Sequence, residues 1–176
     1  MRSILLIATL TFFFADISGR QPADSLSSGE EDTLGAIIPD TGASRIVEIN
    51  RLIRFAEMHL GTPYRYGGKT PAGFDCSGFV RYCFNQTQGI TLSPSATNYH
   101  SHGIKIHPRS ARPGDIICFT GSNSRSRSIG HVGIITEVTP TDIYFIHSAV
   151  HGGIRYDVLK AQYYKTRFLQ IRRVLL

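Results

Sequence analysis

The sequence predicts an α+β domain, with helices in its first half and an antiparallel β-sheet in its second. Two segments come first in which apolar residues recur every three or four positions, the spacing of one helix face. Short runs rich in β-branched and aromatic residues follow, separated by turn residues. Helices followed by strands with short links are typical of the α+β class. The 176 residues, 41% of them hydrophobic, are enough for one domain with a real core and hardly enough for two.

The first residues carry a pattern that is typical of export. Met1-Arg2-Ser3 precede an apolar run from Ile4 to Phe14, which is too short to cross a bilayer comfortably. We therefore predict a secretory signal peptide over residues 1–19 and a mature protein without stable membrane insertion. Residues 20–43 are rich in Ser, Gly and acidic residues and cannot bury enough apolar surface to offset their ordering entropy, which predicts a flexible linker.

The first predicted helix runs from about Ser44 to Leu60, and the folded domain, residues 44–176, begins with it. Its apolar side chains are spaced so that they share one face, namely Ile46, Ile49, Ile53, Ala56 and Leu60. Gly61 and Pro63 follow, and residues of both types end helices.

The second predicted helix begins at Cys76. Asp75 directly before it is a good N-cap, and the apolar residues at helical spacing are Phe79, Val80, Cys83 and Phe84. The unsatisfied backbone N–H groups and the positive end of the helix dipole favour an anion in the first turn, so we predict a lowered pKa for the Cys76 thiol. A cysteine nucleophile also needs a proton acceptor and a group that orients this acceptor.

Five strands are predicted in the second half of the chain. They are Ile116–Phe119, His131–Val138, Ile143–Ala149, Gly153–Tyr156 and Phe168–Leu175. Alternate residues of a strand point to the same side, so His131 shares a face with Ile135, and His147 shares one with Phe145. If these two strands are neighbours, both imidazoles lie on one sheet surface, beneath the cysteine helix.

Together these residues predict a cysteine nucleophile served by two histidines. His131 takes the proton of Cys76 and later delivers it to the leaving amine, while His147 bonds the other ring nitrogen of His131 and sets its tautomer. His151 is the alternative third member, although it falls in a predicted turn before Gly152-Gly153. A purely structural role is the other interpretation of each histidine. The backbone N–H of Cys76 is positioned for an oxyanion hole.

These motifs, in this order, resemble the NlpC/P60 family of cell-wall cysteine peptidases from about Ile46 to the C-terminus. The matching segments are Gly61-Thr62-Pro63-Tyr64, Tyr66-Gly67-Gly68, Asp75-Cys76-Ser77-Gly78-Phe79-Val80, Arg112-Pro113-Gly114-Asp115, Gly130-His131-Val132-Gly133-Ile134, the segment around His147, and Arg172-Arg173-Val174. The resemblance implies a papain-like fold, with the cysteine helix packed on the sheet. It also implies that Tyr66, Asp75 and Ser77 line the site and bind substrate. A cap alone for Asp75, and a local backbone hydrogen bond for Ser77, are the alternatives.

The resemblance implies an exported cysteine peptidase that hydrolyses amide bonds in peptidoglycan stem peptides through an acyl-enzyme, at the bond between γ-D-glutamate and the diamino acid. Two other specificities stay open, that of an N-acetylmuramoyl-L-alanine amidase and that of a crosslink endopeptidase. A catalytically silent cell-wall binding module is the alternative of a different class. We expect a monomer in the periplasm or cell envelope, or secreted from the cell.

The net charge of +6 comes from arginines and lysines that are scattered along the chain. No run is dense enough for a nucleic-acid patch, so no nucleic-acid partner is predicted. Such a surface favours an anionic polymer or is simply solvated. Arg125 and Arg127 lie in a polar loop ahead of His131, and guanidinium groups there would suit substrate carboxylates.

The remaining cysteines and histidines predict no metal or other cofactor. Cys83 and Cys118 are interpreted as small core residues, with a disulfide between them as the alternative. His100, His102 and His107 have a spacing that fits no compact zinc motif.

Overall fold

The computed structural model describes residues 42–176 and has the α+β architecture that the sequence predicts. The predicted signal peptide, residues 1–19, lies outside the described residues, and so does the predicted linker up to residue 41. Gly42 and Ala43, at the end of the predicted linker, already belong to the first helix. Within the described range, no helix combines the length and the apolar character that crossing a membrane requires.

The described residues form three α-helices: α1, Gly42–Glu57; α2, Cys76–Gln88; and α3, Gln162–Lys165. Helix α1 buries Leu52 and Ala56, whereas Ile46 and Leu60 are exposed, which corrects the predicted apolar face. Leu60 lies beyond the end of the helix at Glu57, and the fully buried positions are confined to the second half of α1.

Eight strands form two antiparallel sheets within the described residues. A small sheet pairs β1, Lys69–Thr70, with β2, Gly73–Phe74. The strands of the large sheet are β3, Ile104–Ile106; β4, Ile116–Thr120; β5, Ile129–Val138; β6, Ile143–Ala149; β7, Gly153–Val158; and β8, Phe168–Arg173. They lie in the order β3-β8-β4-β5-β6-β7. Strands β1, β2 and β3 are too short to show an alternating pattern, so the sequence does not predict them.

The large sheet separates two hydrophobic clusters, because alternate residues of each strand point to opposite faces. The cluster on the side of α1 and α2 contains Val132 and Ile146 together with the buried residues of both helices. The cluster on the other side contains Ile135, Phe145 and Tyr164, the last from α3. Neighbouring residues of one strand therefore pack into different hydrophobic clusters, one on each side of the sheet.

A buried ion pair joins the start of β4 to the end of β8. Nε and Nη2 of Arg173 donate hydrogen bonds to Oδ1 and Oδ2 of Asp115, at 2.7 and 2.8 Å. The backbone N–H of Arg112 donates to the same Oδ2 at 2.9 Å. Asp115 is only 2% exposed, so these donors replace the water that the carboxylate has lost. This pair thus ties the turn before β4 to the end of β8.

Candidate active site

The candidate nucleophile, Cys76, is the first residue of α2, and the local sequence explains why the helix begins there. Oδ1 of Asp75 accepts hydrogen bonds from the backbone N–H of Gly78 at 2.6 Å and from the hydroxyl of Ser77 at 2.9 Å. This carboxylate is the N-cap that the sequence predicts. Gly78 lets the helix approach the preceding loop closely, since a Cβ there would lie 2.0 Å from the carbonyl oxygen of Gly68.

The two candidate histidines lie side by side on one face of the large sheet. His131 is on β5 and His147 on β6, and Nε2 of His131 is 2.8 Å from Nδ1 of His147. Their rings contact Phe119 and Phe145, which belong to the cluster on the side of α3. Helix α2 packs on the opposite face, which corrects the predicted position of the imidazoles beneath it. The helix approaches the histidines only with its N-terminus.

Gly133 makes room for the second imidazole. A Cβ at this position would lie 3.1 Å from Cβ of His147 and 3.0 Å from Cδ2 of Phe145. Both distances are shorter than ordinary van der Waals contact between carbon atoms. The absence of a side chain on β5 therefore leaves room for His147 and Phe145 on β6.

A carboxylate on the next strand extends the row of imidazoles. Oδ2 of Asp157, on β7, lies 2.9 Å from Nε2 of His147. The hydroxyl of Tyr164 donates to the same oxygen at 2.8 Å, and Nη2 of Arg155 donates to Oδ1 at 2.7 Å. His147 is 1% exposed and has a partner at each ring nitrogen, so its orientation is fixed from both sides.

A cleft of about 570 Å³ brings these groups together. Cys76, His131 and His147 all line it. The Sγ–H of Cys76 points to the carbonyl oxygen of Gly130 at 4.0 Å, which places the thiol at the start of β5, next to His131 in the chain. The nucleophile and both imidazoles therefore face one space that a substrate can enter.

Of the two tyrosines in the segment before α2, Tyr64 lines this cleft and Tyr66 does not. Tyr66 is 92% exposed and lies outside the cleft, whereas Tyr64 is part of its wall. A bridge between Tyr64 and Phe74 holds Tyr64 against the strand that leads into α2. The loop turns outward between these two tyrosines, and Gly67, with a φ of 68°, continues this turn.

Asp75 and Ser77 are engaged in hydrogen bonds within the protein and do not line the cleft. Besides Asp75, the Ser77 hydroxyl has the carbonyl oxygen of Pro94 as an acceptor, at 3.0 Å. Ser77 is 5% exposed. The contacts of Asp75 match its alternative role as a cap. The backbone acceptor of Ser77 is the carbonyl of Pro94, which is distant in the chain and therefore not the expected local partner.

Burial dominates the proton affinities of the nucleophile and the imidazoles. It raises the pKa of the Cys76 thiol to about 11, although backbone hydrogen bonds from Val132 and Ser77 act in the opposite direction. The predicted lowering of this pKa is therefore wrong for the free protein, because loss of hydration outweighs the helix N-terminus. Burial, and then the neighbouring His147, lower the pKa of His131 to about 3. The resting pair is a neutral thiol and a neutral imidazole.

Two further basic residues, Arg155 and Arg167, line the cleft, and so does His151. Arg155 is paired with Asp157, whereas Arg167 has no carboxylate partner within residues 42–176. The Arg167 guanidinium lies over the Tyr163 ring, 3.9 Å from its centroid, and donates to the Tyr163 carbonyl at 3.2 Å. It is thus held in place while its charge stays uncompensated.

Arg125 and Arg127, the cations predicted for this role, are not among the cleft residues in the described part of the chain. The loop that carries them contributes Gly121 and Ser122 to the wall instead.

The site contains polar residues that the sequence analysis missed, namely Asp157, Tyr164 and Arg155 around His147, and Tyr64 and Arg167 in the cleft wall. A signal for Asp157 is present in the hairpin between β6 and β7, where Gly152-Gly153 marks the turn. The register of that hairpin pairs His147 with Arg155, so Asp157 falls two residues further along, on the same face as His147. Tyr164 comes from a helix of four residues, which is too short to be recognised from its sequence.

Cys83 and Cys118 are free, fully buried thiols, so the disulfide alternative does not apply. Among the described residues, no three His, Cys, Asp or Glu side chains are arranged to hold a metal ion. The predicted cofactor-free site stays a prediction.

Comparisons with known proteins point to one family. The model of the NlpC/P60 family matches residues 61–173. The gamma-DL-glutamyl hydrolase of Bacillus subtilis is 37% identical over 123 residues, which are 69% of this chain and 28% of that protein. The probable endopeptidase NlpC of Escherichia coli is 36% identical over 115 residues, which are 65% of this chain and 70% of that protein.

The fold is also found among solved structures. The NlpC/p60 domain of the peptidoglycan hydrolase SagA superposes with a TM-score of 0.59 and 28% identity, over 71% of this chain and 97% of that domain. The chain therefore spans nearly all of the solved NlpC/p60 domain of SagA but less than a third of the Bacillus subtilis hydrolase.

Proposed function

This chain belongs to the NlpC/P60 family, and on that premise we propose that it is an exported cysteine peptidase that hydrolyses amide bonds in peptidoglycan stem peptides. The bond between γ-D-glutamate and the diamino acid is the favoured target, since one relative is named a gamma-DL-glutamyl hydrolase. The observation that carries the proposal is the single cleft lined by Cys76, His131 and His147. Residues 44–176 form the catalytic domain, and the predicted signal peptide directs it to the cell envelope.

The reaction starts from the neutral pair. His131 accepts the thiol proton as the sulfur of Cys76 attacks the scissile carbonyl carbon, so the thiolate forms only while the bond to carbon is being made. The backbone N–H of Cys76 stabilises the negative charge that develops on the carbonyl oxygen. His147, bonded to His131 at 2.8 Å, holds the imidazole in its working orientation.

The protonated His131 then delivers its proton to the nitrogen of the leaving amine, and a thioester remains on Cys76. In the second half of the reaction His131 takes a proton from the water that attacks the thioester and returns it to the departing sulfur. The products are the free thiol and a carboxylic acid, which then ionises to solvent. Each proton that His131 accepts is returned, so the enzyme ends in its starting state.

The charge of the cleft supports an anionic peptide as the substrate. Arg167 is an uncompensated cation in the wall, while the cleft's carboxylate, Asp157, already accepts hydrogen bonds from three side chains. A guanidinium group in this position suits the free carboxylates of a stem peptide. Tyr64, which also lines the cleft, adds an aromatic ring and a hydroxyl.

Digestion of purified muropeptides by the wild type and by Cys76→Ala, followed by mass spectrometry of the fragments, tests this function. We expect cleavage between γ-D-glutamate and the diamino acid, and a rate lowered by about 10³-fold or more in the variant. Release of intact stem peptides would indicate an amidase, and cleavage of crosslinks alone a crosslink endopeptidase. Binding to sacculi without any cleavage would indicate a binding module and contradict the proposal.

A further inference from the structure

We propose that Asp157 is a positioning residue that sets the tautomers of both histidines, so that Nδ1 of His131 is the nitrogen that takes the thiol proton. The observation behind it is the unbroken row of hydrogen bonds from His131 through His147 to Asp157, with one member on each of three successive strands. The inference rests on the proposed function and adds a fourth member to its cysteine and two histidines.

The tautomers follow from which groups are able to donate. Asp157 receives hydrogen bonds from Tyr164 and Arg155, and an ionised carboxylate only accepts, so Nε2 of His147 must carry the proton in the 2.9 Å contact. In a neutral imidazole the other nitrogen is then an acceptor. Nδ1 of His147 therefore accepts, and Nε2 of His131 donates across the 2.8 Å contact. Nδ1 of His131 is left with a free lone pair.

The groups that surround Asp157 keep its carboxylate ionised and oriented toward His147. Arg155 on β7 and Tyr164 on α3 each donate to one oxygen of Asp157, which keeps the carboxylate oriented. Burial alone would raise the pKa of Asp157, but hydrogen bonds from His147, Arg155 and Tyr164 together lower it to about 2. The carboxylate is therefore charged at any pH at which the enzyme works, and its charge also stabilises His131 once that residue is protonated.

An amide in place of the carboxylate reverses the donor and acceptor roles along the row of hydrogen bonds. In Asp157→Asn the oxygen is retained by Arg155, which can only donate, and the NH₂ group then faces Nε2 of His147. Nε2 of His147 must accept, its Nδ1 must donate, and His131 must carry its proton on Nδ1. That nitrogen can no longer take the thiol proton, although no side chain has moved.

Kinetics on the same muropeptide provide the first test. We expect kcat of Asp157→Asn to fall by about 10²- to 10⁴-fold with KM changed by less than about threefold, as expected when an imidazole is held in the wrong tautomer. Glu137→Gln is the matched control, because Glu137 is an exposed acid on β5, and its loss of charge should leave both constants unchanged. An unchanged kcat in Asp157→Asn would overturn the proposal.

Nitrogen NMR of ¹⁵N-histidine-labelled protein, in a Cys76→Ala background, tests the tautomers without any substrate. We expect His131 and His147 to be protonated at Nε2 when Asp157 is present and at Nδ1 in Asp157→Asn. A proton on Nδ1 of His131 with Asp157 intact would overturn the inference, even if the Asn variant failed to fold. Failure of the wild type to cleave muropeptides would refute the proposed function and leave this result standing.

Discussion

At the scale of single residues, burial decides the protonation of the proposed nucleophile, Cys76. A cysteine in the first turn of a helix suggests a stabilised thiolate, but Cys76 is only 8% exposed, and burial raises its pKa to about 11. The same burial lowers the pKa of His131 to about 3. Both shifts favour the neutral pair, so we expect the sulfur to become reactive when a substrate carbonyl is in place rather than beforehand.

The rate at which iodoacetamide alkylates Cys76 in the free enzyme should therefore rise with pH. Below its pKa the thiolate fraction of a thiol increases about tenfold per pH unit, so we expect the rate to rise about tenfold per unit from pH 7 to pH 9. Mass spectrometry of the labelled peptide measures it, and the fully buried Cys83 and Cys118 should stay unlabelled. A rate that is constant from pH 5 to pH 8 would instead indicate a stable thiolate–imidazolium pair.

Removal of the unpaired cation from the cleft should weaken substrate binding. We expect Arg167→Ala to raise KM for a stem peptide by about five- to tenfold with little change in kcat, since a charged hydrogen bond made in both ground and transition states is lost. Arg125→Ala is the control, because Arg125 lies in the polar loop and does not line the cleft. Equal effects of the two substitutions would contradict a specific role of Arg167.

At the scale of elements, the site depends on how β5, β6 and β7 are paired. His131, His147 and Asp157 come from three neighbouring strands, and their hydrogen bonds run across the strands. The spacing between neighbouring strands is constant in antiparallel sheets, which suits a row of side chains that bond one another. Gly133 on β5 is the position at which an added side chain would disturb that row most directly.

Gly133→Ala should lower activity without unfolding the protein. Its Cβ would press on His147 and Phe145 at 3.0–3.1 Å and shift the imidazole by a few tenths of an ångström, so we expect kcat to fall by about tenfold or more. Kinetics on muropeptides measure this, and circular dichroism checks the fold. Gly42→Ala adds the same methyl group where no atom lies within 4 Å, and it should have wild-type kinetics.

The sequence predicts these elements unequally, and the difference has a physical basis. The start of α2 at Cys76 and its cap by Asp75 are visible because capping is a local interaction between near neighbours. The alternation along β5 and β6 correctly predicts that both imidazoles share a face. Which face α2 covers, and that Asp157 completes the row, depend on tertiary packing and strand register, which one sequence does not reveal.

At the scale of the whole molecule, the sheet is held by contacts far from the cleft. Asp115 and Arg173 are far apart in the chain, yet they form a bidentate pair with distances of 2.7 and 2.8 Å. Because the Arg112-Pro113-Gly114-Asp115 turn and the last strand meet in this pair, two of the motifs that characterise the sequence serve stability rather than chemistry. The resemblance detected in the sequence is therefore partly a resemblance of scaffolds.

Asp115→Ala should destabilise the fold and leave the chemistry intact. Removing the carboxylate leaves the Arg173 guanidinium largely buried without its partner, which we expect to lower the free energy of unfolding by about 3 kcal/mol. Urea denaturation measures this value, and Glu137→Ala, at an exposed position, should change it by less than about 0.5 kcal/mol. A loss below about 1 kcal/mol in Asp115→Ala would show that the pair adds little.

All members of the polar row lie within residues 129–158, while the turn between β6 and β7 adds Val150 and His151 to the wall of the cleft. Side chains of this turn can therefore change without displacing the proton-transfer machinery, as long as the turn keeps the length that sets the register of β6 and β7. Transplanting a turn of the same length from another member of the family should thus change which peptides are accepted and leave the catalytic step unaffected.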